Sequence, residues 1–276
     1  MNSDLRFLRS CSNACAAGLS AALLLVVPLL RADDMRVAPG QPAQIGRLHY
    51  LPAGRPDART LLSPPPLPGS PEQAADLEEV RTIYHAATSN ETAAAYSEKK
   101  FSIFNFTPAV GDYFQPGQFP KTEAFFQKVQ EDATAVTDRA KDFYQRPRPY
   151  AVDPVLANGK LEKSFSYPSG HSTESMVIAL VLADLFPDRR DAIIAVARGI
   201  GWRRVEIARH YPTDIYAGRV LAQAILREMK SSPEFEKDFA AAQAEIATAQ
   251  AQFNSPPPPN ASRPSARTAI ANPPGG

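Results

Sequence analysis

The sequence predicts an all-α fold, built as a single helical bundle domain. Apolar residues recur at helical spacing between Pro71 and Phe253, whereas the alternating patterns of half-buried strands are scarce there. A length of 276 residues with 44% hydrophobic and 21% charged residues supplies enough apolar side chains for a sizeable core. These observations exclude a collagen-like or wholly disordered chain.

The apolar periodicity predicts six helices, several of which have recognisable start signals. Ser70 precedes Pro71, and Ser232 precedes Pro233, so that each helix would begin with a capping hydroxyl and a proline in its first turn. Residues 176–185 are apolar nearly all round, which is typical of the central helix of a bundle. The predicted helices cover residues 71–88, 121–143, 172–185, 188–205, 212–230 and 233–253.

The N-terminal residues resemble a targeting segment rather than part of the domain. Arg6 and Arg9 precede an apolar stretch over residues 14–30, and this order is typical of a secretory signal peptide covering residues 1–32. The apolar stretch is at the lower limit of a membrane span and Pro28 interrupts it, which favours a cleaved signal over an uncleaved anchor. We therefore expect no stable membrane span after the signal is removed.

Removal of residues 1–32 would also remove Cys11 and Cys15, the two cysteines of the chain. An exported chain without thiols has no disulfide, no cysteine nucleophile and no cysteine-ligated metal. Residues 33–70 are rich in proline with little periodicity, and we expect an irregular arm on the surface. Residues 254–276 contain a run of four prolines and predict a disordered tail.

The charge balance of the chain argues against nucleic acid as a partner. The chain has 30 Lys and Arg residues against 29 Asp and Glu residues, and it has no long basic run. Affinity for nucleic acid depends largely on neutralising phosphates, so no nucleic-acid-binding surface is expected.

Two segments combine cations with the start of a helix. Lys141 and Arg148 lie seven residues apart before a proline, which fits an anion site but also fits a solvated basic helix end. Ser169 and Gly170 precede the apolar helix, where exposed backbone N–H groups favour an anion beside His171. Taken alone, this second segment is equally an ordinary helix cap.

The third segment contains Arg204, His210 and Asp214. A carboxylate four residues after a histidine can orient the imidazole, and this is simpler than a metal pair because no third and fourth ligand lie nearby. An exposed charged turn remains the alternative for this segment alone. Taken together, the three segments supply cations, backbone amides, one histidine able to attack phosphorus and another able to donate a proton.

These three segments resemble the signature of the type 2 phosphatidic acid phosphatase superfamily. That superfamily includes bacterial class A nonspecific acid phosphatases, lipid phosphatases and vanadium haloperoxidases. Similarity to the acid phosphatase branch extends to residues 61–70 and 232–235, and it implies a helical phosphatase domain of the acid phosphatase and vanadium haloperoxidase type over residues 71–253. The matching positions are Lys141, Arg148, Pro149, Pro168, Ser169, Gly170, His171, Arg204, His210 and Asp214.

The resemblance implies a role for each of these residues. His210 would be the nucleophile that takes the phosphoryl group, Asp214 would orient it, and His171 would act as general acid and then as base. No metal and no cofactor is implied, and the partners would be small-molecule phosphomonoesters. The phosphate-binding residues would be Lys141, Arg148, Ser169, Gly170 and Arg204.

The sequence departs from the family pattern at two places, which leaves other functions open. Arg203 stands where the family usually has serine, and residues 95–120 do not follow the acid phosphatase pattern. The alternatives are a lipid phosphate phosphatase, a vanadium-dependent haloperoxidase, and a catalytically silent protein in which Arg203 binds phosphate too tightly. Family and signal together imply a periplasmic enzyme, and a homo-oligomer remains open.

The remaining histidines and a group of aromatic residues receive structural interpretations. His49 and His85 are expected to be ordinary helix or surface residues rather than ligands. Aromatic side chains at short spacing between residues 104 and 114 are expected in the core rather than at a substrate mouth. These are Phe104, Phe106, Tyr113 and Phe114.

Overall fold

The structure, a computed structural model, describes residues 48–254. The predicted signal peptide, both cysteines and residues 255–276 of the predicted tail lie outside this range. Residues 48–254 contain no strand, so the all-α prediction is confirmed. The helices are α1 (Ala58–Leu61), α2 (Pro71–Ala86), α3 (Ser89–Ser97), α4 (Thr107–Val110), α5 (Pro120–Tyr144), α6 (Pro149–Val152), α7 (Gly170–Leu185), α8 (Arg190–Glu206), α9 (Pro212–Met229) and α10 (Pro233–Asn254).

All six predicted helices are present as α2, α5, α7, α8, α9 and α10, with ends close to those predicted. The start of α8 differs, because Pro187–Arg189 forms a 3₁₀ turn ahead of it. The start of α2 agrees in detail, since the Ser70 hydroxyl accepts a hydrogen bond from the Gln73 backbone at 3.1 Å.

Helix α3 was not predicted, because its small and polar residues show no apolar periodicity. Its N-terminus nevertheless has a local signal. The Thr88 hydroxyl accepts from the Glu91 backbone N–H, and the Glu91 carboxylate accepts from the Thr88 backbone N–H at 2.8 Å. A threonine followed three residues later by a glutamate is the sequence pattern of this capping box.

Helix α7 is the central helix of the bundle, as its sequence predicts, and it packs against α5, α8 and α9. Val177, Ile178 and Val181 on this helix are fully buried. Burial on all sides explains why the helix is apolar nearly all round.

Two glycines let the N-terminal end of α7 approach its neighbours closely. A Cβ atom on Gly218 of α9 would lie 2.9 Å from the Ser169 carbonyl oxygen, and one on Gly201 of α8 would lie 3.2 Å from the Ser172 side chain. The Ser172 hydroxyl donates to the Ile215 carbonyl at 2.8 Å. The start of α7, the last turn of α8 and the first turn of α9 therefore meet at one end of the bundle.

The arm predicted over residues 33–70 is not confined to the surface. In its described part, Tyr50, Leu51 and Leu62 are buried in the main core. The Asp132 carboxylate on α5 anchors this segment, because it accepts the backbone N–H groups of His49 and Tyr50 at 2.8 Å each. Pairing with a buried carboxylate lets an irregular segment enter the core without leaving these amides unsatisfied.

The aromatic group between residues 104 and 114 belongs to the core. Phe106 and Phe114 are fully buried, whereas Phe104 and Tyr113 pack partly buried against them. Among residues 48–254, none of the helices combines the length and the hydropathy needed to cross a bilayer.

The two remaining histidines lie away from the three informative segments. His49 lies beside Glu131, with Nε2 2.7 Å from the carboxylate. His85 is exposed in the last turn of α2, edge-on to the Tyr84 ring. Both positions are those of ordinary surface residues.

Candidate active site

The eight predicted site residues converge where α5 ends and where α7 and α9 begin. Gln145 has a left-handed backbone with φ of 48°, which ends α5 and turns the chain into the segment that contains Arg148. Six of the eight side chains are at most 4% exposed: Lys141, Arg148, Ser169, Arg204, His210 and Asp214. Gly170 and His171 are half-buried at the start of α7.

His210 lies in the short loop between α8 and α9, with its ring held by Asp214. The Nδ1 atom is 3.2 Å from Asp214 Oδ2, and the same oxygen accepts the Tyr211 backbone N–H at 2.9 Å and the Ser166 hydroxyl. A carboxylate at Nδ1 favours the tautomer with its proton on Nδ1. The lone pair of the ring is then on Nε2.

The Nε2 atom of His210 faces the Arg148 guanidinium, with Nη1 3.3 Å away. Burial lowers the pKa of His210 well below its usual value, and the positive charges of Arg148 and Lys141 act in the same direction. The lowered pKa favours the neutral ring, which is the state a nucleophile needs.

The Arg148 guanidinium is surrounded by acceptors of the protein itself. Nε donates to the Ser164 carbonyl at 2.7 Å, and Nη1 points to the Arg209 carbonyl at 2.9 Å and to His210 Nε2. Nη2 meets the Ser164 hydroxyl at 2.9 Å and the Glu162 carboxylate at 2.6 Å. A phosphate that binds Arg148 must compete with these acceptors.

Lys141, in the last turn of α5, is a buried cation held by backbone carbonyls. Its Nζ donates to Phe165 O at 2.8 Å and to Ser166 O at 3.3 Å. Burial, together with the charge of Arg148, lowers the pKa of Lys141 to about 8. The ammonium group is therefore charged at acidic and neutral pH.

Arg204, in the last turn of α8, has a donor to spare. Its Nη1 donates to the Ala95 carbonyl at 3.0 Å and its Nη2 lies 3.3 Å from Glu162 Oε1. Its Nε atom is buried and has no hydrogen-bond partner among residues 48–254. This donor is therefore available to an acceptor from outside the protein.

The imidazole of His171 also has an unpaired atom. Its Nε2 is buried and has no hydrogen-bond partner in the described part of the chain. Burial and the charge of Arg204 lower the pKa of His171 to about 4. A phosphate dianion beside the ring would act in the opposite direction and favour its protonated form.

Ser169 caps α7 and is hydrogen-bonded to the segment that contains Asp214. Its backbone N–H donates to the Asp214 carbonyl at 3.1 Å, and its hydroxyl accepts the Ser172 N–H at 3.4 Å. The Ser169 N–H therefore joins the second segment to the third, and the binding of phosphate at Ser169 stays a prediction. The first two amides of α7, those of Gly170 and His171, have no intrahelical acceptor and remain candidates.

Arg146 is a site residue that sequence reasoning missed. Its Nη1 donates to Asp214 Oδ1 and its Nη2 to Asp76 Oδ2, each at 2.6 Å, and the guanidinium lies 3.8 Å above the Tyr211 ring. Arg146 therefore fixes the carboxylate that orients His210. Its position two residues before Arg148 was a signal, but its partner Asp76 on α2 is far away in the sequence.

Arg203 does not join the phosphate-binding cations. Its guanidinium forms an ion pair with Glu98, with Nε 2.7 Å from Oε2. The hypothesis that Arg203 binds phosphate too tightly is therefore not supported, because a carboxylate already neutralises this arginine.

Comparisons with known proteins find phosphatases among the relatives of this chain. Residues 132–236 match the sequence profile described as the PAP2 superfamily. A non-specific acid phosphatase from Providencia stuartii is 30% identical over 201 residues, covering 69% of this chain and 81% of that protein. One from Salmonella typhi is 28% identical over 241 residues, covering 82% and 92%. A lipid A 1-phosphatase from Rhizobium etli is 47% identical over 53 residues, covering 19% and 23%.

Proposed function

Since this chain belongs to the PAP2 superfamily and is a phosphatase, we propose that it is an exported acid phosphatase. In this proposal it hydrolyses phosphate monoesters without a metal ion and through a phosphohistidine intermediate. One observation carries the proposal. The neutral ring of His210 is held at Nδ1 by Asp214 and presents Nε2 among buried cations. That is the arrangement a nitrogen nucleophile needs to attack a phosphoryl group.

In the first step, the Nε2 lone pair of His210 forms a bond to phosphorus as the ester P–O bond breaks. The ring becomes positively charged, and Asp214 stabilises that charge through the Nδ1–H bond. The Arg148 donor that faces Nε2 moves to an equatorial phosphoryl oxygen.

His171 supplies the proton for the leaving alkoxide. In the second step, the neutral His171 ring takes a proton from water, the water oxygen attacks phosphorus, and the bond between His210 Nε2 and phosphorus breaks. Inorganic phosphate and the alcohol are the products. The unpaired Nε2 atom of His171 supports this role.

Charge stabilisation comes from side chains, which is the reason for proposing independence from metal. Lys141, Arg148 and Arg204 are buried cations that suit the equatorial oxygens of a transferring phosphoryl group. Within residues 48–254, no group of three His, Cys, Asp or Glu side chains is arranged to hold a metal ion.

We expect the full chain to hydrolyse a generic aryl phosphate with a chelator present. Vanadate should inhibit competitively, because its trigonal bipyramidal form resembles the transition state. Steady-state rates with and without the chelator, and with increasing vanadate, test both points. Loss of activity with the chelator, restored by a divalent cation, would contradict the metal-free mechanism.

The pH dependence should be bell-shaped and lean to acid. His171 must be protonated to act as acid, and its pKa of about 4 means that kcat/KM falls as pH rises above that value. His210 must be neutral, and its lowered pKa moves the acid limb to low pH. Bound phosphate raises the pKa of His171, so the alkaline limb of kcat should lie at higher pH than that of kcat/KM. A kcat/KM value that rises steadily from pH 5 to pH 8 would contradict these roles.

The lipid A 1-phosphatase match motivates a second candidate, a phosphatase acting on a lipid phosphate. Rates with an aryl phosphate and with detergent-dispersed phosphatidic acid separate the two candidates. Export is tested by the mass of the protein recovered from the periplasm, which should correspond to loss of residues 1–32.

A further inference from the structure

Glu162 is a carboxylate that the mechanism does not use, yet it contacts two of the phosphate-binding cations. Its Oε2 lies 2.6 Å from Arg148 Nη2, and its Oε1 lies 3.3 Å from Arg204 Nη2. Burial raises the pKa of Glu162, but the positive charges around it, that of Arg148 above all, outweigh burial and lower the pKa to about 2. The carboxylate is therefore ionised wherever the enzyme works.

The two oxygens of Glu162 bridge two guanidinium groups as two oxygens of a phosphoryl group would. Arg148 donates to Ser164 and Arg209 and forms an ion pair with Glu162, so an incoming phosphate must compete with these groups for the guanidinium. Glu162 is the charged member of that acceptor set, and its negative charge would repel a bound dianion.

Glu162 is also free to move aside. Its side chain is 30% exposed, and the neighbouring Leu161 and Lys163 are exposed. Its backbone is held in place, because the Tyr150 hydroxyl donates to the Glu162 carbonyl at 2.8 Å. Rotation of the side chain alone would withdraw the carboxylate without unpacking the core.

We propose that Glu162 is an internal competitor for phosphate that sets the affinity of this site for phosphate dianions. The substrate phosphoryl group displaces the carboxylate from Arg148 and Arg204, and the returning carboxylate speeds release of inorganic phosphate. Monoesters whose leaving group makes further contacts with the protein then bind more tightly than inorganic phosphate. This inference rests on the proposed function, since it assigns the same cations to phosphate.

Equilibrium binding of inorganic phosphate to the full chain, measured by calorimetry at pH 6, tests the proposal without turnover. In the Glu162→Gln variant we expect the Kd for phosphate to fall by about tenfold, the scale of one hydrogen bond between charged groups. Glu79→Gln is the matched control, because it removes the same charge from an exposed position on α2 and should leave the Kd unchanged.

A Kd that is unchanged or higher in Glu162→Gln would overturn the proposal, because Glu162 would then orient the arginines rather than compete for them. The Glu162→Ala variant removes any residual hydrogen bonding and should also bind phosphate more tightly. If the wild type hydrolyses an aryl phosphate but neither variant binds phosphate more tightly, this inference fails alone. If the wild type neither binds phosphate nor hydrolyses the ester, the proposed function fails with it.

Discussion

Replacement of His210 by alanine is expected to lower kcat for an aryl phosphate by at least about ten-thousand-fold, as for removal of a nucleophile from comparable catalytic units. The variant keeps the cations and the amides of α7, but it has no atom that can form the covalent intermediate. Steady-state kinetics at the acid optimum measures the loss. His85→Ala, at an exposed position on α2, is the control and should retain wild-type activity.

The competing explanation for an inactive His210→Ala variant is misfolding. Far-UV circular dichroism and phosphate binding distinguish the two explanations, since the cations that we propose bind phosphate remain in place. A folded His210→Ala variant that keeps a tenth or more of wild-type turnover would show that another residue attacks phosphorus.

Replacement of Arg146 by methionine is expected to lower the free energy of unfolding by about 3–5 kcal/mol. Both carboxylates that pair with Arg146 are buried, with side-chain exposures of 4% for Asp76 and 0% for Asp214. The variant leaves two carboxylates in the interior without their cation. Urea denaturation followed by circular dichroism measures the change.

The matched control is Arg81→Met, which breaks an ion pair with Asp153 at the surface. Solvent already screens that pair, so the loss should be much smaller. Arg146→Met should also reduce kcat, because Asp214 loses the donor that fixes its orientation. Equal losses of stability in the two variants would contradict the account of a buried network.

The helices, and the convergence of the three segments that contain the candidate site residues, could be predicted, the helices from apolar periodicity and the segments from their resemblance to the superfamily signature. Apolar periodicity alone gave α7 and its neighbours. His210 and Asp214 are four residues apart on one short segment, so their contact follows from the geometry of a helix start. In the same way, the placement of Ser169 as a cap could be predicted from its position before an apolar helix.

The partners of these residues could not be predicted, because they come from distant segments without a pattern of their own. Asp76 meets Arg146 across 70 residues and Glu98 meets Arg203 across 105 residues. Nothing local separates Arg146 from Arg148 in the sequence. Only the folded chain assigns one arginine to the carboxylate and the other to the histidine.

The most direct test of the proposed mechanism is to trap the phosphorylated enzyme. The full chain is mixed with a ³²P-labelled phosphate monoester for milliseconds and quenched in alkali, where phosphohistidine survives. We predict label on the protein that maps to His210 by peptide mass spectrometry, and none in the His210→Ala variant. Rapid turnover by the wild type with no label on the protein, or with label on a different residue, would contradict the central claim.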